Sequence, residues 1–253
     1  MSVLNRFRLD GKVAIVSGAS AGLGVAIAQA LAEAGADVTI CARRMDALRE
    51  TQELVKAAGQ RALCVRADIG KPEDCRRVVD ETVAAFGRLD VLVNNAALGR
   101  AISATKETPE SFDEIYQVNV RGTFLMSQAA AGAMRDGGSI VNISSIMAWW
   151  SPGMPQASYM ASKAAIIAMT RDLAQQWGTR KNIRVNVIAP GFFRTEMTGH
   201  FFEELMAEQG PRIPLGRAGL PAEIGATTVF LASEAASYIT GATLVVDGGR
   251  TIL

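Results

Sequence analysis

Short runs rich in valine and isoleucine recur along the chain, separated by longer segments whose apolar residues follow the period of an α-helix. The runs show little polar alternation, which is typical of parallel strands covered by helices on both faces. Strands that alternate with helices in this way predict an open parallel sheet with right-handed crossovers. The sequence therefore predicts an α/β fold with a doubly wound sheet of seven strands. The expected strands are residues 13–17, 38–42, 62–66, 91–94, 140–143, 184–188 and 243–246.

The chain has 253 residues, a length that one α/β domain can reach. No linker, repeat or low-complexity tract divides it, so we expect a single domain over residues 1–253. One irregular stretch, at about 190–220, is rich in proline, glycine and phenylalanine. Long loops in compact domains are often lids or binding loops. We therefore expect this stretch to be a substrate loop.

Composition excludes several classes of function. The 26 basic and 25 acidic residues give a net charge of +1, which provides no basic surface for nucleic acid or an anionic membrane. The three cysteines, at 41, 64 and 75, are too scattered for a disulfide framework or a metal knuckle. His200 is the only histidine, so a multi-histidine metal site is excluded. We expect a cytoplasmic protein with reduced thiols, no metal and no membrane segment.

A glycine-rich turn follows the first expected strand, with glycines at positions 18, 22 and 24. Small residues in a strand–turn–helix allow backbone N–H groups to approach a diphosphate, and the helix N-terminus adds partial positive charge. The alternative is a tight structural junction. Because the turn lies in the first strand–helix unit of an alternating chain, a dinucleotide site is the favoured interpretation.

The residues after the second expected strand bear on the choice of cofactor. A carboxylate there would bind the ribose 2′-hydroxyl of NAD, but the strand ends in alanine followed by Arg43 and Arg44. Guanidinium groups pair well with a phosphate. The sequence thus favours NADP(H), although two arginines at a solvated helix start would look the same.

Tyr159 and Lys163 lie four residues apart, on one face of an expected helix. An ammonium near a phenol stabilises the phenolate, so we expect the pKa of Tyr159 to fall and the residue to act as an acid/base. Ser145 follows the fifth strand, at the sheet edge where ligands bind. Asn119, an unfavourable residue inside a helix, suggests a polar role. Taken alone, a surface Tyr–Lys pair or an exposed amide would explain the same residues.

Together these motifs closely resemble the classical short-chain dehydrogenase/reductase family, from Leu9-Asp10-Gly11-Lys12 to Val246-Asp247-Gly248-Gly249. The resemblance implies a Rossmann-type sheet, a nicotinamide cofactor and a homotetramer. It implies that Tyr159 transfers the substrate proton, Lys163 lowers its pKa and holds the nicotinamide ribose, Ser145 orients the carbonyl and Asn119 maintains a helix irregularity. The implied cofactor-binding residues, with the two arginines, are Gly18, Ser20, Ala21, Leu23, Gly24, Arg43, Arg44, Asp68, Ile69, Asn95, Ala96, Tyr159, Lys163, Pro190, Gly191, Phe193 and Thr195.

Four features depart from the family pattern, and two are mild: Ser17 replaces a threonine and Leu23 replaces an isoleucine. Ala97 replaces a glycine, which requires a negative φ at that position. Trp149 and Trp150 lie in a segment between Ser145 and the tyrosine that is one residue longer than in many members. We expect these indoles, with Phe192, to favour a ring-bearing or apolar substrate. Packing at a subunit interface is an equal alternative for the tryptophans.

The leading hypothesis is an NADP(H)-dependent oxidoreductase, either a ketone (carbonyl) reductase or a secondary-alcohol dehydrogenase. A second hypothesis is NAD-linked oxidation of a sugar acid or polyol. A third is a non-catalytic NADP(H)-binding sensor on the same fold.

Overall fold

The computed structural model describes residues 2–196, 199 and 202–252. Seven parallel strands form one sheet in the order β3-β2-β1-β4-β5-β6-β7. This arrangement confirms the predicted Rossmann-type sheet. The strands are β1 Val13–Ser17, β2 Asp37–Ala42, β3 Ala62–Arg66, β4 Val91–Asn94, β5 Gly138–Ile143, β6 Ile183–Pro190 and β7 Thr243–Val246.

Eight α-helices lie within the described residues, and local sequence signals account for several of their ends. Pro72 begins α3, and Gly87 terminates it in the left-handed region at φ 81°. Thr108 caps α4 through its side chain, which accepts a hydrogen bond from the Ser111 N–H. The helices are α1 Leu23–Glu33, α2 Met45–Ala57, α3 Pro72–Phe86, α4 Pro109–Tyr116, α5 Thr123–Ala133, α6 Ala157–Lys181, α7 Phe202–Gln209 and α8 Pro221–Ala232.

Two apolar clusters cover the two faces of the sheet. One packs α1 and α8 against β1, β2 and β4, around Ile27, Leu31 and Ile224. The other packs α3, α5 and α6 on the opposite face, around Met126, Ile140 and Val185. The inner strands are therefore buried on both faces, as their uninterrupted apolar sequence predicts.

The edge strand β7 departs from that pattern, as does the other edge strand, β3, in which Val65 is the one buried residue. Leu244 and Val245 are 36% and 40% exposed, although the sequence predicts a buried strand. The reason is its position: β7 has a neighbour, β6, on one side only. An apolar run alone does not distinguish a central strand from an edge strand.

Residues 190–220 also contain more structure than expected. Helix α7 and a short 3₁₀ turn at Gly210–Arg212 lie within this stretch, and α7 buries Phe202 and Leu205. His200 lies outside the described residues. Within the part of the chain that the structure describes, no helix has both the length and the apolar character needed to span a membrane.

Candidate active site

The glycine-rich turn between β1 and α1 requires glycine for steric reasons. Gly18 has φ +68°, and a Cβ there would lie 2.6 Å from the Cα of Ala96. A Cβ on Gly24 would lie 2.6 Å from Asn95 Nδ2 and would overlap the carbonyl oxygen of Gly18. Both distances are shorter than real Cβ contacts allow. The turn is thus pressed against the end of β4, with the N-terminus of α1 directed at the same edge.

Hydrogen bonds fix that close approach. The Ser17 hydroxyl accepts from the backbone N–H groups of Asn95 and Ala96, each at 3.1 Å. The Asn95 amide donates to the carbonyl oxygens of Ser17 and Gly18, at 3.0 and 3.1 Å. The ends of β1 and β4, neighbours at the point where the strand order reverses, are therefore held together. Such a point is where α/β sheets bind ligands.

Ser145, Tyr159 and Lys163 meet at the carboxyl edge of β5. The Lys163 ammonium donates to the carbonyl oxygen of Ile143 at 2.9 Å, and the Ser144 hydroxyl donates to the carbonyl oxygen of Lys163 at 2.8 Å. The Lys163 Nζ lies 5.6 Å from the centre of the Tyr159 ring. The expected helix face is thus present, and α6 is anchored to β5 at the position of the lysine.

The expected direction of the tyrosine pKa shift is wrong for this structure. Burial raises the pKa of the Tyr159 phenol, and a hydrogen bond with Ser145 offsets only part of that rise. Burial also lowers the pKa of Lys163 to about 8. Loss of hydration disfavours the charged form of both groups, so Tyr159 retains its proton at neutral pH.

Asn119 lies behind these residues, fully buried, in a π-helical segment over Gln117–Gly122 that joins α4 to α5. Its side chain accepts from the Leu98 N–H at 2.7 Å and donates to the Leu98 carbonyl at 2.8 Å. It also donates to the Ser162 hydroxyl at 2.9 Å. The helix irregularity implied by the family resemblance is present, and Asn119 connects it to both the cavity wall and α6.

One cavity of about 590 Å³ runs along this edge of the sheet. Most of the predicted site residues line it. The exceptions are Gly24 and Asn119, which support the wall from behind, and the two tryptophans. The lining residues that the sequence predicts are Gly18, Ser20, Ala21, Leu23, Arg43, Arg44, Asp68, Ile69, Asn95, Ala96, Ser145, Tyr159, Lys163, Pro190, Gly191, Phe192, Phe193 and Thr195.

The tryptophans do not line this cavity, contrary to the expectation for a substrate site. Trp149 is 48% exposed. Trp150 packs edge-on against Phe192, with ring centres 6.1 Å apart, and the Arg250 guanidinium lies 4.2 Å from the Trp150 ring. Trp150 therefore supports Phe192 from outside the wall.

Several lining residues escape prediction from the sequence. At the end of the cavity near Ser145 the wall includes Leu98, Ala101, Met147, Met154, Gln156 and Leu205. Met147, Met154 and Gln156 lie between the predicted serine and tyrosine, and the unusual length of that segment was the one sequence feature that indicated them. Leu205 is on α7, far along the chain, and no local pattern indicated it.

At the other end of the cavity, Arg43 and Arg44 follow β2 as predicted. Arg44 forms a bidentate ion pair with Glu196, a residue that the sequence analysis did not identify. Arg43 is exposed and has no ion pair with the described residues.

Ala97 has the negative φ that its side chain requires, because Asn182 is the one non-glycine residue with positive φ in the described chain. The described residues contain no group of three metal-ligating side chains.

A parallel sheet of this order, with the Ser–Tyr–Lys cluster at its carboxyl edge beside a glycine-rich turn, defines a Rossmann-type oxidoreductase. A family model described as enoyl-(acyl carrier protein) reductase matches residues 18–251. A crystal structure of a short-chain type dehydrogenase/reductase from Mycobacterium marinum superposes with a TM-score of 0.96 at 38% identity, covering all of both chains. The chain belongs to the short-chain dehydrogenase/reductase family.

Other similar proteins have more specific descriptions. The chain is 41% identical to 2-dehydro-3-deoxy-D-gluconate 5-dehydrogenase of Escherichia coli (strain K12), over 98% of each chain. It is 38% identical to versicolorin reductase 1 of Aspergillus parasiticus, over 96% of this chain and 97% of the other. A structure of a putative 2-deoxy-D-gluconate 3-dehydrogenase from Agrobacterium tumefaciens, with bound NADP, has a TM-score of 0.90 at 36% identity, covering 98% of this chain and 100% of that one.

Proposed function

We propose that this protein is an NADP(H)-dependent reductase of ketones that also catalyses the reverse oxidation of secondary alcohols. One observation carries the proposal: a single cavity has Ser145, Tyr159 and Lys163 at one end and Arg43 and Arg44 at the other. Proton-transfer chemistry and a cationic site for a 2′-phosphate are thus joined by one groove. A non-catalytic sensor would not require the end that holds the serine, the tyrosine and the lysine.

The fit of the cofactor rests on the glycine turn and on the residues after β2. The close contacts at Gly18 and Gly24 leave no room for side chains, and Gly18 lines the cavity, so the backbone of the turn is open to a diphosphate. β2 ends at Ala42, and no acid follows it before Asp46. Arg43 lies exposed at the cavity wall, where a guanidinium pairs with a phosphate monoester. The similar Agrobacterium protein, solved with NADP, supports this cofactor.

The proton chemistry follows from the burial of the site. Bound NADPH would supply the hydride to the substrate carbon. Tyr159, whose pKa burial holds above its ordinary value, is protonated at neutral pH and donates its proton to the carbonyl oxygen as the oxygen becomes an alkoxide. The Ser145 hydroxyl orients the same oxygen. Lys163, held by the Ile143 carbonyl, lies 5.6 Å from the centre of the Tyr159 ring and would hold the nicotinamide ribose.

The substrate end of the cavity is largely apolar. Leu98, Met147, Met154, Phe192 and Leu205 line it. Apolar walls with a few polar groups are suited to binding apolar ketones, with orientation set by those polar groups. We therefore propose an apolar or ring-bearing ketone, in keeping with the similarity to versicolorin reductase.

A sugar-acid substrate is the second candidate, favoured by the 41% identity to the Escherichia coli dehydrogenase. Its carboxylate would need a cation. Among the described residues that line the cavity, the cations are Arg43 and Arg44, beyond the glycine turn, and Lys163, which is bonded to a backbone carbonyl. This placement makes the sugar acid the less favoured substrate.

We also propose a homotetramer in the cytoplasm. The exposed apolar side chains of β7, Leu244 and Val245, support self-association at the sheet edge. The three free thiols fit a reducing compartment. Light scattering on the purified protein measures the assembly directly, and a monomer at micromolar concentration would contradict it.

Turnover of aryl ketones, diketones and 2-dehydro-3-deoxy sugar acids, followed at 340 nm with NADPH and with NADH, tests the function. We expect turnover of apolar ketones with NADPH. Tyr159→Phe should lower kcat by at least about 100-fold and retain NADPH binding. Turnover of the sugar acid alone would establish the second candidate. NADPH binding without turnover of any substrate would support a sensor.

Arg43→Ala tests the cofactor assignment. Loss of a charged hydrogen-bonding partner should raise the KM for NADPH by about tenfold or more and leave the KM for NADH unchanged. An equal change for both cofactors would show that Arg43 does not bind the 2′-phosphate.

A further inference from the structure

An ion pair bridges the two sides of the cofactor end of the cavity. Arg44 follows β2, and Glu196 follows β6, which lies four strands away in the sheet. The Arg44 Nη1 and Nη2 atoms each lie 2.6 Å from a carboxylate oxygen of Glu196. This bidentate geometry is the most favourable one for a guanidinium and a carboxylate. We call this pair the 44–196 clasp.

The residue before Glu196 lies over the glycine-rich turn. A Cβ placed on Gly22 would be 3.2 Å from the Cβ of Thr195. The Arg44 guanidinium also reaches the Ser20 hydroxyl of the same turn, at 3.5 Å. Thr195 therefore lies against the turn that fits a diphosphate, and the clasp joins the next residue, Glu196, to the segment after β2.

The two adjacent arginines are not equivalent in this arrangement. Both terminal nitrogens of Arg44 face Glu196, so a phosphate would have to displace a carboxylate to bind there in the same bidentate manner. Arg43 is exposed, lines the cavity and has no ion pair with the described residues. A 2′-phosphate would therefore find an available guanidinium at Arg43.

We propose that Arg44 is a positioning residue that holds residues 191–196 over the bound dinucleotide, and that Arg43 alone distinguishes NADPH from NADH. The inference rests on the proposed function, since it requires a dinucleotide in this groove. Both residues of the clasp belong to the protein, so their ion pair forms whether or not the cofactor carries a 2′-phosphate. It slows the release of both cofactors by the same factor.

Release rates of NADPH and NADH, measured by stopped-flow fluorescence of the reduced nicotinamide after displacement, test this division. Exposed ion pairs contribute modestly, so Arg44→Gln and Glu196→Gln should each speed release of both cofactors by about two- to fivefold. The double variant should release them no faster than either single variant, and the exchanged pair Arg44→Glu/Glu196→Arg should restore slow release. High salt should reduce the differences.

A matched control comes from Arg217, which forms a similar bidentate and exposed pair with Glu223 away from this cavity. Arg217→Gln should leave both release rates unchanged. Arg43→Ala should speed release of NADPH alone. The same loss of NADPH alone in Arg44→Gln would identify Arg44 as a phosphate ligand and overturn the clasp.

Additive effects of the two single variants, or unchanged release in Glu196→Gln, would also overturn the clasp while leaving cofactor binding intact. Failure of the unmodified protein to bind either cofactor would instead overturn the proposed function, and the clasp with it. The affinity of the unmodified protein, measured first, separates the two cases.

Discussion

Replacing Asn119 by alanine removes a side chain that makes three hydrogen bonds while fully buried. Its amide connects the backbone of Leu98, on the cavity wall, with the hydroxyl of Ser162 on α6. Alanine has no polar atom to replace them. The Leu98 N–H and carbonyl lose their amide partners, and the cavity wall is no longer fixed to the π-helical segment.

The size of the effect follows from these contacts. A buried hydrogen bond contributes about 1 kcal/mol net, so three bonds contribute about 3 kcal/mol. Alanine is the better helix former, which restores about 0.5 kcal/mol of stability. The free energy of unfolding should therefore fall by about 2.5 kcal/mol. For a chain of about 250 residues, each kcal/mol lowers Tm by roughly 2–4 °C, which gives a decrease of about 5–10 °C.

Differential scanning calorimetry at one protein concentration measures this decrease, since the proposed assembly would make Tm concentration-dependent. Gln117→Ala is the control, because this exposed amide on the same π-helical segment makes one hydrogen bond, to the Gly70 carbonyl. We expect it to lower Tm by less than half as much. We also expect Asn119→Ala to raise the KM of the substrate, because Leu98 lines the cavity. A Tm within 1 °C of that of the unmodified protein would refute the reasoning.

Three further substitutions test other parts of the structure. In Gly24→Ala, the added Cβ overlaps the Gly18 carbonyl, so urea unfolding should show a loss of roughly 1–3 kcal/mol and NADPH binding should weaken; an unaltered affinity would contradict this. Gly132→Ala, in α5 with nothing within 4 Å, should gain about 0.5–1 kcal/mol in the same assay, and a loss would show hidden crowding. Lys163→Met should abolish turnover yet raise the free energy of unfolding at pH 7 by about 2 kcal/mol. Burial lowers the lysine pKa from 10.5 to about 8, which costs the folded state roughly 3 kcal/mol. The hydrogen bond to the Ile143 carbonyl offsets about 1 kcal/mol of that cost. Between pH 8 and 10.5 the lysine is neutral in the folded state but charged in the unfolded state, so the unmodified protein regains the stability that burial of the charge costs. A stability gain of Lys163→Met that persists above pH 10.5 would therefore disprove the lowered lysine pKa.

The strands and the glycine turn were predictable because their signals are local. Runs of apolar residues over four or five positions predict the strands, and Gly18 and Gly24 mark a turn too tight for a Cβ. The pair Tyr159 and Lys163 is also local, since four residues of helix place both on one face. The sequence misassigned only what depends on neighbours in space, such as the exposure of β7 at the sheet edge.

In the candidate active site, the properties that the sequence did not predict also depend on contacts between distant segments. The pKa of Tyr159 depends on how much of the chain covers the phenol, and no sequence spacing reports that burial. Trp150 lies near Ser145 in sequence but does not line the cavity, because its ring packs against Phe192 and Arg250. Proximity along the chain was a poor guide to the direction of a side chain in a loop.

The sequence by itself determined which chemistry the chain carries: a Rossmann-type sheet, the turn proposed to bind a dinucleotide, and the tyrosine–lysine pair proposed for acid/base transfer. These depend on backbone geometry that repeats over a few residues, which local patterns encode. Only the tertiary structure decided how that chemistry is arranged. It paired Arg44 with Glu196, 152 residues away, and left Arg43 exposed. Contacts between distant segments arise from the packing of the whole sheet, so residue types alone do not specify them.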